Sequence, residues 1–148
     1  MKKELEQKLF EKYPLFFKHI DNTMASLMIH GFECGDGWYN LLNTTFRKIK
    51  KYYINKYSEI PNRFYIIQVK QKYGLLRIYS SLVDKEVFDI LDEAEAKSSR
   101  VCELCGKKGK LREDLHYIRT LCDDCYKMKL REEREEMEKI LEIRRRLK

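Results

Sequence analysis

The sequence predicts an α+β protein, mainly helical, with a β-hairpin in its core and a C-terminal treble-clef-like zinc finger followed by a long helix. Three observations carry that expectation. Apolar residues recur at three- and four-residue steps before residue 60 and again after residue 84, the period of a helix with one buried face. Between those segments, RFYIIQVKQKYGLLRIYSS holds two β-type runs around KQKYG, with Gly74 supplying the turn. Near the C-terminus, four cysteines form two C-x-x-C pairs. A chain of 148 residues can bury one modest core and carry a metal-stapled appendage, so residues 1–98 are expected to form the helical and hairpin domain and 99–148 the zinc finger with its helix.

The elements follow in order. KKELEQKLFEKY reads as a short helix ended by Pro14, and LFFKHIDNTMASLMIH has enough apolar residues for buried helical structure. GFECGDGWYNLL then places three of the six glycines between Gly31 and Gly37. Beyond it Trp38, Leu41, Leu42, Thr45, Phe46, Ile49 and Tyr52 mark one face of an amphipathic helix that stops before Pro61. In the hairpin, alternation sets Tyr65, Ile67 and Val69 toward the core with Leu76 and Ile78, leaving Gln68, Lys70, Arg77 and Tyr79 on the opposite face. KEVFDILDEAEAK is a helix expected to bury Val87, Phe88, Leu91 and Ala94, and SSR before Cys102 reads as a short hinge.

Cys102, Cys105, Cys122 and Cys125 supply the most specific chemical signal. Two chelating pairs separated by sixteen residues suit tetrahedral Zn²⁺, one ion per chain, and a reducing compartment favours such ligation over disulfides. The second pair opens the helix CDDCYKMKLREEREEMEKILEIRRRLK, and KLRED with HYIRTL can form a small hairpin between the pairs. Knuckle, hairpin and ligand-bearing helix in that order favour a treble clef over a plain ribbon. Four protein ligands leave no open position, so the ion is expected to be structural. An HNH nuclease needs an Asp-His pair on the hairpin, whereas Leu115 precedes His116 here. Cys34 with His30 lacks a third orienting group, and Glu33 with Asp36 lacks further carboxylates, so no catalytic residue is assigned and no enzyme activity is expected. The last helix carries Leu130, Met137, Ile140 and Leu147 in a heptad-like stripe interrupted by Glu133 and Arg144, which suits a solvated helix, self-association or a grip on a partner.

Net charge is +7, and the excess is local. Residues 41–80 hold nine basic side chains against the single acid Glu59, interleaved with aromatic rings including Tyr52, Tyr65, Tyr73 and Tyr79. Cations beside π-faces suit phosphates and bases, although a Lys-, Tyr-, Ile- and Asn-rich chain also follows from AT-rich coding. The candidate ligand-binding set is Asp36, Trp38, Gln68, Lys70, Lys72, Arg77 and Tyr79. For the glycine loop, one account has Asp36 capping the next helix and Trp38 packing in the core; the other has Gly37 baring amides to an anion while Trp38 stacks on a base. No signal peptide or membrane-length apolar run occurs, so a cytoplasmic, non-membrane protein is expected.

ECGDGW, VKQKYGLLRIY, a short acidic helix ending AEAKS, and CELCG with TLCDDC, in that order, resemble a family of small phage and prophage proteins. The resemblance runs from about Phe32 to Lys127 and implies a phage origin and a zinc finger, with no transferable activity. Two functions are therefore expected to compete. One is a phage accessory protein, acting in counter-defence in the host cytoplasm, that binds a nucleotide signal or nucleic acid through the basic aromatic surface. The other is an interaction module that inhibits or recruits a host protein through the finger and terminal helix. The first requires the Lys70/Arg77 face to cluster with Trp38; the second requires an exposed apolar stripe on the last helix.

Overall fold

A computed structural model describes residues 1–82 and 84–147. Its elements are α1 (Lys3–Lys12), α2 (Tyr39–Tyr57), the antiparallel pair β1 (Ile66–Lys72) and β2 (Leu75–Ser80), α3 (Lys85–Ser98), the antiparallel pair β3 (Lys110–Arg112) and β4 (Arg119–Leu121), and α4 (Asp123–Arg146). The chain is thus α+β and mainly helical, with a four-cysteine cluster and a long C-terminal helix. Lys148, the last residue of the helix expected from sequence, lies outside the described residues.

Pro14 ends α1, and in place of the expected helical structure residues 15–30 hold only the rest of a 3-10 turn at Pro14–Phe16 and a second one at Met28–His30. Short polar side chains draw the backbone into turns instead: Asn22 Oδ1 accepts the Met24 N–H at 3.1 Å, and Ser26 Oγ accepts the Met28 N–H at 3.1 Å while donating to the Ile66 carbonyl at 3.0 Å. The core is built on α2, which buries Leu42, Thr45, Phe46, Ile49 and Tyr53. Tyr53 therefore replaces Tyr52 on the buried face, one four-residue step beyond Ile49, and Tyr52 turns out to donate to Asp84 Oδ2 at 2.9 Å. Phe16, Phe17, Phe32 and Phe64 pack around Phe46 and Tyr53, mostly edge to face.

The first hairpin turns through Tyr73 and Gly74, both with positive φ (52° and 79°), as a two-residue type I′ turn requires. Its register pairs Lys72 with Leu75, Lys70 with Arg77 and Gln68 with Tyr79. The expected alternation fails at the start of β1, where the register shifts between Ile66 and Gln68. That bulge buries Ile66 with Val69 and Leu76, and leaves Tyr65 and Ile67 half-buried. The free edge of β1 is covered by the start of the glycine loop: the Glu33 backbone donates to the Val69 carbonyl at 3.0 Å and accepts the Gln71 N–H at 2.9 Å.

Asp84 caps α3 by accepting the Val87 N–H at 3.1 Å. The helix buries Val87, Ala94 and Ser98 against α2 and β2, while Phe88, expected inside, is 58% exposed. Positions 87, 94 and 98 share a helical face; Phe88 sits about 100° around from Val87 and points away from it.

Candidate metal centre and the glycine loop docked on it

Cys102 and Cys105 sit on a knuckle that turns through Gly106 at φ 78°, and Cys122 and Cys125 occupy the N-cap and first turn of α4. All four Sγ atoms lie within 4.8 Å of one another, with Cys105 and Cys122 3.6 Å apart. A tetrahedron with metal–sulfur bonds of about 2.3 Å has sulfur–sulfur edges of about 3.8 Å, so the cluster has the size to hold one ion. The Cys125 N–H points at Cys122 Sγ from 3.5 Å and holds that thiol down at about 7, which favours a thiolate at the helix N-terminus. Beside the cluster, buried Arg112 on β3 pairs with Asp123 in the first turn of α4 and lies 4.2 Å from the Tyr126 ring centre. These contacts fasten the hairpin to the start of α4.

The glycine loop packs against this knuckle. Gly37 N–H donates to the Glu103 carbonyl at 2.8 Å, and Gly35 N–H donates to Glu103 Oε1 at 3.1 Å. A Cβ at Gly37 would lie 2.2 Å from the Cys102 carbonyl oxygen, and one at Gly35 would lie 2.3 Å from that of Glu103. Two backbones approach too closely for any side chain, which explains the glycines. Trp38 is fully buried, and its Nε1–H donates to the Val101 carbonyl at 2.8 Å. It is therefore a core residue with no face for a base. Asp36 does not cap α2 either: its Oδ1 accepts the N–H of Lys2, the N-cap residue of α1, at 2.7 Å, tying down the N-terminal segment. The Gly37 amide proposed for an anion is already bonded to Glu103.

Glu103 joins these contacts, and sequence reasoning missed it. Only 3% exposed, it uses Oε1 for Gly35, Oε2 for Arg119 NH1 at 3.3 Å, its carbonyl for Gly37 and its N–H for the Thr120 carbonyl. Burial pushes its carboxyl up, while Arg119 and the Gly35 N–H oppose that shift. The only local signal was an acid placed between two cysteines of the cluster. A second join links β4 to the first hairpin: Thr120 Oγ1 donates to the Gly74 carbonyl at 2.7 Å, and Gln71 Nε2 to that of Ile118 at 2.6 Å.

The remaining candidate ligand residues do meet on the first hairpin. Gln68, Lys70, Arg77 and Tyr79 share one face, with Lys70 Nζ 5.5 Å from the Tyr79 ring centre. Lys72, Arg77 and Tyr79 line an open groove of about 600 Å³ between β2 and α3, together with Phe88, Asp92 and Glu95. The acids missing from residues 41–80 arrive across space: Arg77 pairs with Glu95, Lys48 with Glu93, and Gln68 donates to Glu33 at 2.7 Å. Burial pushes the Cys34 thiol up to about 12, so it is held as a neutral core group.

α4 differs from every other helix in burying no residue. Met137, Ile140, Leu141 and Ile143 are each at least 40% exposed. No helix among the described residues is long and apolar enough to cross a membrane. No protein-family model, curated protein or solved structure matches this chain.

Proposed function

We propose that this protein is a zinc-stapled protein-interaction module whose contact element is α4. Zinc is the ion because four thiolates at tetrahedral spacing suit it and complete its coordination, leaving it a structural role. The carrying observation is the exposed apolar stripe on a helix that its own chain leaves uncovered. Twenty-four residues extend roughly 36 Å, and only the start is anchored in the finger. The sequence resemblance to phage and prophage proteins supports a setting in the bacterial host.

Site-specific photo-crosslinking in producing cells tests this reading. A photoreactive residue at Ile140 should form a polypeptide adduct that the same group at Glu138, on the opposite side of α4, does not. Equal labelling at both positions, or none at Ile140, overturns it.

A second reading, a phosphate-bearing ligand in the β2–α3 groove, is supported by Lys72 and Tyr79 lining one site with exposed Tyr73. Asp92 and Glu95 in the same groove weaken it, since carboxylates repel phosphate. Nucleotide or oligonucleotide binding that weakens with salt, with a slope reduced by Lys72→Ala, would support it; a salt-independent signal would remove it.

A further inference from the structure

The stripe on α4 carries its own indication of what covers it. Positions 130, 133, 137, 140, 144 and 147 follow alternating steps of three and four, so they run along one side of the helix. Four are apolar and two, Glu133 and Arg144, carry opposite charges. When two such helices lie antiparallel, one register sets Met137 against Ile140, Leu130 against Leu147 and Glu133 against Arg144, each pair occurring twice. The two charges that interrupt the stripe thereby become partners. A parallel pair would place Glu133 on Glu133 and Arg144 on Arg144.

The surrounding charge agrees. Glu132, Glu133 and Glu136 line one wall of an open groove of about 420 Å³, with His116, Tyr117 and Arg119 opposite. The far end of α4 carries Arg144, Arg145 and Arg146. In the antiparallel register the last turn of each helix reaches this groove of the other, where Lys129 already pairs with Glu132, and Glu133 and Glu136 are left to meet the arginines. Arg146 pairs with Glu142 in its own chain, whereas Arg144 and Arg145 have no ion-pair partner among the described residues. Glu133 accepts the His116 N–H through Oε1 at 3.1 Å, which holds the carboxylate in place and leaves Oε2 for a guanidinium. Leu147 is 82% exposed and Leu130 half-buried, so the outer apolar pair gains cover from the contact.

We infer that two copies of this chain associate through an antiparallel α4–α4 contact over residues 130–147, with Glu133 of each paired to Arg144 of the other. The inference rests on α4 as the contact element and names its partner. The overlap runs roughly 27 Å, and two-fold symmetry makes the surface complementary to itself. The Glu133–Arg144 pairs fix direction and register, because any slip leaves a charge against an apolar side chain.

Analytical ultracentrifugation of the zinc-loaded full-length protein tests this, using Glu133→Arg, Arg144→Glu and the double variant, with circular dichroism confirming that each is folded. The parent should dimerise; each single change, which sets like charges together, should raise the dissociation constant about tenfold or more. The double variant should return close to the parent; in a parallel pair each single change would only exchange one like-charge contact for another, leaving no loss to restore. A parent that stays monomeric, single changes without effect, or a double variant no better than the singles overturns the inference. A monomeric parent whose Ile140 crosslink captures a different polypeptide sinks self-pairing alone. A monomeric parent with no adduct sinks the reading of α4 as a contact element as well.

Discussion

Replacing Gly37 with alanine measures how closely the glycine loop is docked on the metal knuckle. The new methyl would lie 2.2 Å from the Cys102 carbonyl oxygen, 2.4 Å from the Gly106 nitrogen and 2.7 Å from the Glu103 carbonyl oxygen. All three are backbone atoms, so no change of rotamer relieves the clash. Carbon–oxygen contacts settle at about 3.3–3.6 Å, so loop and knuckle must separate by about 1 Å. That separation breaks the 2.8 Å bond from Gly37 to Glu103 and loosens the 2.8 Å bond from Trp38 to Val101. Two buried hydrogen bonds at about 1 kcal/mol each, with strain at the low end of the usual overpacking range, predict a loss of about 3 kcal/mol. Denaturant unfolding of the metal-loaded protein would measure it, and amide exchange at Gly37 and Gly106 would locate it. Lys107→Ala, on the exposed side of the knuckle, should cost less than about 0.5 kcal/mol. A Gly37→Ala loss as small as that control, with exchange unchanged, would refute the close approach.

Removing the metal should be visible through Trp38, the single tryptophan, because its indole bonds to Val101 beside the first ligand. Chelation should shift its fluorescence to longer wavelength and release about one zinc per chain, and an unshifted spectrum after complete metal removal would uncouple loop from finger. Tyr53 Oη is buried with no hydrogen-bond partner among the described residues, so Tyr53→Phe should leave stability unchanged or raise it by about 1 kcal/mol; a clear loss in thermal unfolding would contradict this. Burial raises the folded pKa of that hydroxyl, so its contribution is full below pH 10 and fades as pH rises further; the phenylalanine variant should lose less stability between pH 10 and 11. Asp36→Ala should cost about 1 kcal/mol and speed amide exchange at Lys2 while leaving the start of α2 protected, the reverse of what loss of a cap on α2 would give.

What was legible in the sequence was what one element settles within itself. The four-cysteine cluster followed from pair spacing, the hairpin from Gly74 between two β-type runs, and α2 from a repeating apolar face. The failures lie where one segment depends on another. Ser26 bonds to a strand forty residues away, so residues 15–30 could not be recognised as turns from local pattern. The bulge at Ile66–Gln68 changes which residues of β1 face inward, and alternation alone does not announce it. Arg77 and Lys48 looked like unopposed cations because Glu95 and Glu93 come from α3. Gly35, Gly37 and Trp38 were recognised as unusual, but their purpose is set by Glu103 and Val101, more than sixty residues along the chain.

These long-range contacts decide how the finger presents α4. One join is the knuckle against Gly35–Trp38; the other is β4 and the preceding residue against the turn of the first hairpin, through Thr120 with Gly74 and Ile118 with Gln71. Two separated joins resist rotation better than one. α4 is held in turn by Cys122 and Cys125 in its first turn, by Arg112 on Asp123 and by the Tyr126 hydroxyl on Asp114. From Arg131 onward it buries nothing further. The helix is therefore directed at its base and bare along its length, which suits an element that must meet a partner in one orientation. An ion held by the four cysteines would act at the base, joining the knuckle that docks on the core to the turn from which α4 departs.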